Sequence, residues 1–348
     1  MIEIKENVSL TGLSTMMTGG NARYVVYWDT AEDLKILVSE PQYVDIQTAG
    51  LKPVGEGSNL LFITDDYRGA LLKCAAENMC KISEDQESVL FEVSAGLSLD
   101  ELINRCCNSN LWGVENLSLI PGTVGAAAVQ NVGAYGVEFK DVVVGVNCFD
   151  IEDACWRYFD AEELNYGYRD SLFKHEGYKD RMVVTSVVVR LSKNPIPHLT
   201  YGNLAETVGT DKDNICKIRD AVVRLRNNKL PEVGIVGSAG SFFKNPIVLD
   251  NHFEEIVNCV TDRGLDASIM PVYDVLEGKK LSAAWLIDKA GWKGATIGHA
   301  GVWPSQPLVL VNIDGQASGA EIAGLASEIC RDVKDKFSVT LEPEVEYL

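Results

Sequence analysis

The stretch Ile120-Pro121-Gly122-Thr123-Val124-Gly125-Ala126-Ala127-Ala128 constrains the fold most. It consists of small residues, reads as irregular, and continues with little periodicity to Gly136. Small residues permit close approach by a flat or extended ligand. About 65 residues earlier, Gly55-Glu56-Gly57-Ser58-Asn59 follows the extended run Lys52 to Val54 and leads into strand-like Leu60–Ile63. A loop between two strands is not the strand–loop–helix fingerprint of a dinucleotide fold. Two glycines with Ser and Asn can still turn several backbone N–H groups inward as an anion nest. Two such loops, each beside a strand, point to a buried cofactor carrying a diphosphate. The competing readings are a tight hairpin for the first loop and close helix packing on Gly and Ala for the second.

Around these loops the pattern is α+β. Thr30, with Asp33 three residues on, predicts a helix over 30–39. Val89 to Val93 alternates as a strand, and Ser98-Leu99-Asp100-Glu101 predicts a capping box with a Leu97/Leu102 staple on a helix running to Asn108. Val142–Phe149 and Val183–Leu191 are rich in β-branched residues and read as strands. Ile215, Ile218, Val222 and Leu225 mark the apolar face of a polar helix over 214–228. A helix near 281–290, a strand Leu308–Ile313, and a helix opened by Ser318-Gly319-Ala320-Glu321 follow.

Composition removes several function classes. The net charge of −19 opposes nonspecific nucleic-acid binding, and any phosphate site must be built locally from backbone N–H groups and a few placed cations. No apolar run reaches membrane-spanning length, and Met1 to Glu6 lacks the pattern of a signal peptide, so a cytoplasmic protein with no membrane partner is expected. Nine scattered cysteines form no CxxC pair and no Cys/His cluster at zinc spacing, so reduced thiols and no metal are expected. The four histidines sit in unrelated contexts.

Six motifs in order then carry a resemblance. They are Gly55–Leu61, Asn116–Gly136, Tyr168-Arg169-Asp170-Ser171, Lys229-Leu230-Pro231, Gly240-Ser241-Phe242-Phe243-Lys244-Asn245-Pro246, and Leu341-Glu342-Pro343-Glu344. The chain resembles the UDP-N-acetylenolpyruvoylglucosamine reductases. Leu199-Thr200-Tyr201-Gly202 is similar to the substrate-capping tyrosine loop of one subclass. The resemblance implies an α+β fold: an FAD-binding unit of the vanillyl-alcohol-oxidase type in two subdomains, 1–75 and 76–212, and a substrate-binding domain over 213–348. It also implies non-covalent FAD, NADPH as co-substrate, a UDP-sugar substrate and a monomer.

The reaction so implied places hydride on the β-carbon of an enol ether and a proton on its α-carbon. Arg169 matches the family's carboxylate-binding arginine, and a guanidinium can hold a carboxylate through two parallel N–H bonds. Glu344 matches the glutamate of the same site, where a raised pKa is expected. Ser241 matches the proton donor, helped by Lys229 and Asn245. Gly55, Gly57, Ser58, Asn59, Ile120, Pro121, Gly122, Gly125, Ala126, Gly133 and Arg226 match positions at the flavin. Tyr135, Tyr201, Lys229, Asn245, Tyr273, Lys293 and Gln306 match positions at the UDP-sugar. In isolation, Ser241 reads as a turn serine, Arg169 as an ion pair with Asp170, Glu344 as a solvated charge, and Arg226 as a helix-surface charge. Glu346 departs from the family, which usually has a basic residue there. The runner-up functions are an FAD-dependent oxidase of alcohols or sugars and a non-catalytic UDP-sugar-binding protein.

Overall fold

In the computed structural model, which describes residues 2–348, the chain divides into two compact units, neither continuous in sequence. The first comprises residues up to Val8, Ala22–Glu56 and Arg68–Arg226; the second comprises Ser9–Asn21, Gly57–Tyr67 and Asn227–Leu348.

The first unit holds two sheets. In the smaller, Glu3–Ser9, Asn21–Trp28, Tyr67–Cys74 and Leu51–Val54 lie in that spatial order, and Leu51–Val54 runs parallel to its neighbour with Val54 opposite Lys73. The helix Ala31–Ser39 buries Leu34 and Leu37 against Val26, Trp28 and Leu72. Its Thr30–Asp33 capping box forms as predicted. The larger sheet is antiparallel, in the order Cys155–Asp160, Val143–Asp150, Met182–Ser192, Ser88–Ser94, Met79–Glu84. Its Val-rich central strands pack Val146, Val187 and Val189 onto the helices Leu99–Asn108 and Val124–Gln130.

Two local expectations change here. Ser98 makes no side-chain cap, because the partners of a capping box are engaged elsewhere. Glu101 pairs with Arg105 at 2.7 Å, and Asp100 accepts from Leu119 N and from both Arg219 amino groups. The run read as irregular contains the helix Val124–Gln130, started by Thr123, whose hydroxyl accepts from Ala126 N. Alanine is the best helix former, so this short helix follows from propensity once a cap is present.

In the second unit, an antiparallel sheet orders Gly237–Ser241, Val309–Asn312, Ala300–Val302 and Thr296–Ile297. The helix Gly319–Phe337, opened by the predicted Ser318–Glu321 capping box, buries Ile322, Leu325, Ile329 and Val333 in this unit's core. The segment Ser9–Asn21 is tied in by polar contacts. Thr15 exchanges hydrogen bonds with Ser238, and buried Asn312 donates to Met16 O and Met17 O while accepting from Ala317 N. The predicted strand at Leu60–Ile63 is shorter, Leu60–Leu61, and pairs in parallel with Glu346–Tyr347.

Candidate functional site

Each unit contributes its own set of candidate residues. In the first, Gly55 and Glu56, which open one small-residue loop, contact the other. A Cβ at Gly55 would lie 3.0 Å from both Thr123 Oγ1 and Ala126 Cβ, and a Cβ at Gly125 would lie 2.7 Å from Ala95 Cβ. Much of the second loop's backbone is already satisfied by protein. Gly122 N donates to Glu56 Oε2 at 2.9 Å, Val124 N to Leu97 O, and Gly125 N to Ala95 O. The stretch from Gly122 to Gly125 is thus a wall held by Glu56, Leu97 and Ala95, with Thr123 and Ala126 closing onto Gly55.

Arg226 stands on the helix Ile215–Lys229 with its Nε buried and without a hydrogen-bond partner. Burial pushes its pKa below the usual arginine value, against the attraction of Tyr135 and Asp100. This is not the setting of a solvated helix-surface charge. Closely packed small residues at Gly55, Thr123 and Ala126, and a buried guanidinium whose Nε lacks a protein partner, fit a flat, anionic cofactor such as FAD.

Arg169 sits at φ +54°, and its guanidinium donates to Gly133 O at 2.6 Å and Asn131 O at 3.4 Å. These bonds hold the guanidinium over the strand Gly133–Ala134. The neighbouring Asp170 carboxylate instead lies 2.8 Å from His175 Nε2. Tyr135 and Tyr201 meet edge to face, 5.9 Å apart at 81°. Burial raises the Tyr135 pKa, and Arg226 opposes that rise.

In the second unit, three motifs remote in sequence come together. Ser241 is exposed at the end of the strand Gly237–Ser241, opposite Val309 after a register irregularity. Phe242 and Phe243 are buried and anchor it. Glu344 N donates to Phe242 O at 2.8 Å, and Lys244 N donates to Glu342 O at 2.9 Å. The Asn59 amide donates to Glu344 O at 3.1 Å, and Glu346 N donates to Asn59 O at 3.0 Å. Asn59, Glu344 and the Ser241–Phe242 segment are therefore joined by hydrogen bonds, Asn59 partly through its side-chain amide. Glu344 lies between the isolated bridge at Pro343 and the strand Glu346–Tyr347, so Glu344 and Glu346 do not share a strand.

The remaining candidates are more scattered. Asn245 Oδ1 accepts from Ala283 N at 3.0 Å, which leaves its NH2 end to donate. Tyr273 is exposed on Val272–Val275 opposite Lys280. Lys229 and Lys293 are exposed, and Gln306 is half-buried in a turn closed onto Val309. Sequence reasoning missed Asn116 as more than a motif boundary; its burial among polar neighbours is visible only in three dimensions. Asp150, Asp153 and Cys155 bring potential metal-ligand atoms within 4.8 Å of one another, but Arg157 and Arg181 already bind both carboxylates. Among the described residues no helix is long and apolar enough to cross a membrane.

Comparison with known proteins agrees with this picture. Residues 231–348 match the C-terminal domain of UDP-N-acetylenolpyruvoylglucosamine reductase, and residues 22–154 match an FAD-binding domain. The chain is 35% identical to the UDP-N-acetylenolpyruvoylglucosamine reductase of Porphyromonas gingivalis, covering 100% of both chains. It is 38% identical to that of Pseudomonas aeruginosa, covering 99% of this chain and 98% of the relative. The solved UDP-N-acetylenolpyruvylglucosamine reductase of Thermus caldophilus superposes with a TM-score of 0.67 at 25% identity, over 100% of this chain and 99% of that one. With closely packed small residues in one unit and the Ser241–Glu344 cluster in the other, this α+β chain belongs to the UDP-N-acetylenolpyruvoylglucosamine reductase family, whose members are FAD-dependent oxidoreductases.

Proposed function

We propose that the chain reduces UDP-N-acetylglucosamine enolpyruvate to UDP-N-acetylmuramate with NADPH, in the cytoplasmic synthesis of peptidoglycan precursors. The observation that carries this reading is the cluster of Asn59, Ser241 and Glu344 through Glu344 N to Phe242 O and Asn59 to Glu344 O. An isolated turn serine would have no reason to adjoin a glycine-loop asparagine and a glutamate at the far end of the sequence.

FAD, when bound, would supply the two-electron hydride chemistry that links NADPH to the β-carbon of the enol ether. The chain's own residues do the rest. Gly55, Gly57, Ser58 and Asn59, the stretch from Ile120 to Ala126, Gly133 and Arg226 hold the cofactor. Hydride addition pushes negative charge toward the substrate carboxylate, and preorganised donors stabilise such charge without reorganising. Arg169, already fixed by its bonds to Gly133 O and Asn131 O, supplies that positive charge. Glu344 acts in its protonated form. Ser241 Oγ–H gives its proton to the α-carbon, assisted by Lys229 and the NH2 of Asn245. Tyr135, Tyr201, Tyr273, Lys293 and Gln306 bind the uridine and sugar-phosphate parts.

The test separates the two half-reactions. NADPH added anaerobically bleaches the yellow protein, and the enolpyruvyl UDP-sugar then restores the colour. Ser241→Ala keeps the bleaching and loses about 10²–10⁴-fold in recolouring, the weight of a positioned acid. If only oxygen recolours the wild type, the reductase reading fails.

A further inference from the structure

We infer that Asn116 is a positioning residue that sets Tyr135 and Tyr201 as a clamp on the substrate; this rests on the reading of both tyrosines as substrate-binding. Asn116 is completely buried in the short turn Glu115–Leu117. That turn is fixed from below: Glu115 Oε2 accepts from Gly113 N at 2.9 Å, and Ser118 Oγ donates to Glu115 O at 2.6 Å. From this base the Asn116 side-chain amide donates both its hydrogens to backbone carbonyls, Tyr135 O at 2.8 Å and His198 O at 2.7 Å. The two acceptors belong to segments 82 and 19 residues away from Asn116. One carries Tyr135, and the other opens the loop that carries Tyr201. Because both partners are carbonyls, only the NH2 end of the amide can serve there.

The need for such a bracket is clear from the backbone. Tyr135 and Gly136, with φ of +49° and +83°, form the two-residue turn between Gly133–Ala134 and Val137–Glu138. Such turns favour Asn or Asp before Gly, and a tyrosine there is strained. The loop from His198 to Asn203 has no regular structure. One buried amide therefore fixes a strained turn and an irregular loop in mutual register. The outcome is the edge-to-face pair of Tyr135 and Tyr201. A ring-sized ligand meeting these tyrosines finds them already spaced, so ordering them is not charged against binding.

The experiment uses the full-length FAD-loaded enzyme and the variants Asn116→Ala, Asn116→Ser, Tyr201→Ala and Asn116→Ala/Tyr201→Ala. Flavin content and bleaching by NADPH should stay within about twofold of wild type in both single Asn116 variants. KM for the enolpyruvyl UDP-sugar, and its Kd read from the flavin spectrum without NADPH, should rise about tenfold or more in Asn116→Ala, the order expected for losing one or two buried hydrogen bonds. The kcat should change much less. Once Tyr201 is gone, Asn116→Ala should add clearly less than it costs in the intact clamp, because one of the two side chains it sets is no longer present. Unchanged KM and Kd overturn the inference. So does a loss that multiplies fully with Tyr201→Ala, or a joint loss of flavin, NADPH bleaching and thermal stability in both Asn116 variants, which would make the role purely structural. Failure of the functional reading is distinguishable, since the wild type itself would then neither bind nor turn over the enolpyruvyl UDP-sugar.

Discussion

Gly57 offers a sharp test of how the glycine loop is held. A Cβ at this position would stand 1.9 Å from Leu13 O and 2.9 Å from Leu13 C and Ser14 Cα, all backbone atoms. Its φ is +68°, so alanine is strained before any contact is considered. That conformation costs about 1–2 kcal/mol for a residue with a Cβ. Overpacking of this kind costs about 1–3 kcal/mol. Separating the segments also stretches the bond from Thr15 N to Gly57 O, already 3.3 Å long, whose loss costs about 1 kcal/mol. Gly57→Ala should therefore lose roughly 3–6 kcal/mol, which at ~2–4 °C per kcal/mol lowers Tm by roughly 10 °C. Gly12 is the internal control. It lies in the neighbouring turn Leu10–Gly12, and nothing is within 4 Å of its added Cβ, so Gly12→Ala should melt within about 2 °C of wild type. Scanning calorimetry with flavin release as a second signal reads both variants. If Gly57→Ala melts with the control and keeps its FAD, the close approach of this loop to Leu13 is wrong.

Three further outcomes are expected. Asp150 is fully buried; burial alone would raise its pKa, but bonds from Arg181, Asp153 N and Glu152 N hold it down at about 2 against 3.8. That depression contributes about 2 kcal/mol at ~1.4 kcal/mol per unit, present above about pH 4 and lost as pH falls through about 2. Asp150→Asn should lose it, and urea midpoints measured between pH 2 and 7 should show a flatter acid limb. Glu115 is buried to 1% exposure, and burial raises its pKa, so its folded form holds a proton more tightly than its unfolded form. Stability is therefore lost as pH rises through the raised value; Glu115→Gln should raise Tm at pH 8 with a gap that closes toward pH 4, and a lower Tm at pH 8 would contradict this. Arg169→Lys keeps the charge but loses the fork that reaches Gly133 O and Asn131 O, so stopped-flow recolouring by substrate should slow about 10–100-fold while bleaching by NADPH is unchanged.

Local rules recovered most elements and none of the tertiary bonds that place the site. Thr30–Asp33 and Ser318–Glu321 read as capping boxes and are capping boxes, since every partner lies within three residues. Ser98–Glu101 carries the same pattern and fails, because Glu101 pairs with Arg105 one turn along the helix instead of reaching back to Ser98. The order of motifs pointed to Ser241, Arg169 and Glu344, and the contact between the Ser241 and Glu344 segments is a backbone bond that no side-chain pattern encodes. Asn116 was invisible as a donor for a related reason: its two acceptors are main-chain carbonyls, which every residue possesses.

The discontinuity of the second unit sets a timetable for synthesis. Asn59 leaves the ribosome early, yet its side chain is claimed by Glu344, 285 residues later. Ser9–Asn21 likewise waits for Asn312. Contacts of such separation close slowly and late. The nascent chain can assemble the sheets of the first unit well before then. Gly57 already meets Thr15, but Asn59 stays without its side-chain partner until Glu344 has emerged, so completion of the loop that we propose to hold FAD comes late. Slowing elongation should therefore leave the yield of FAD-loaded protein unchanged, whereas removing Glu344–Leu348 should abolish it.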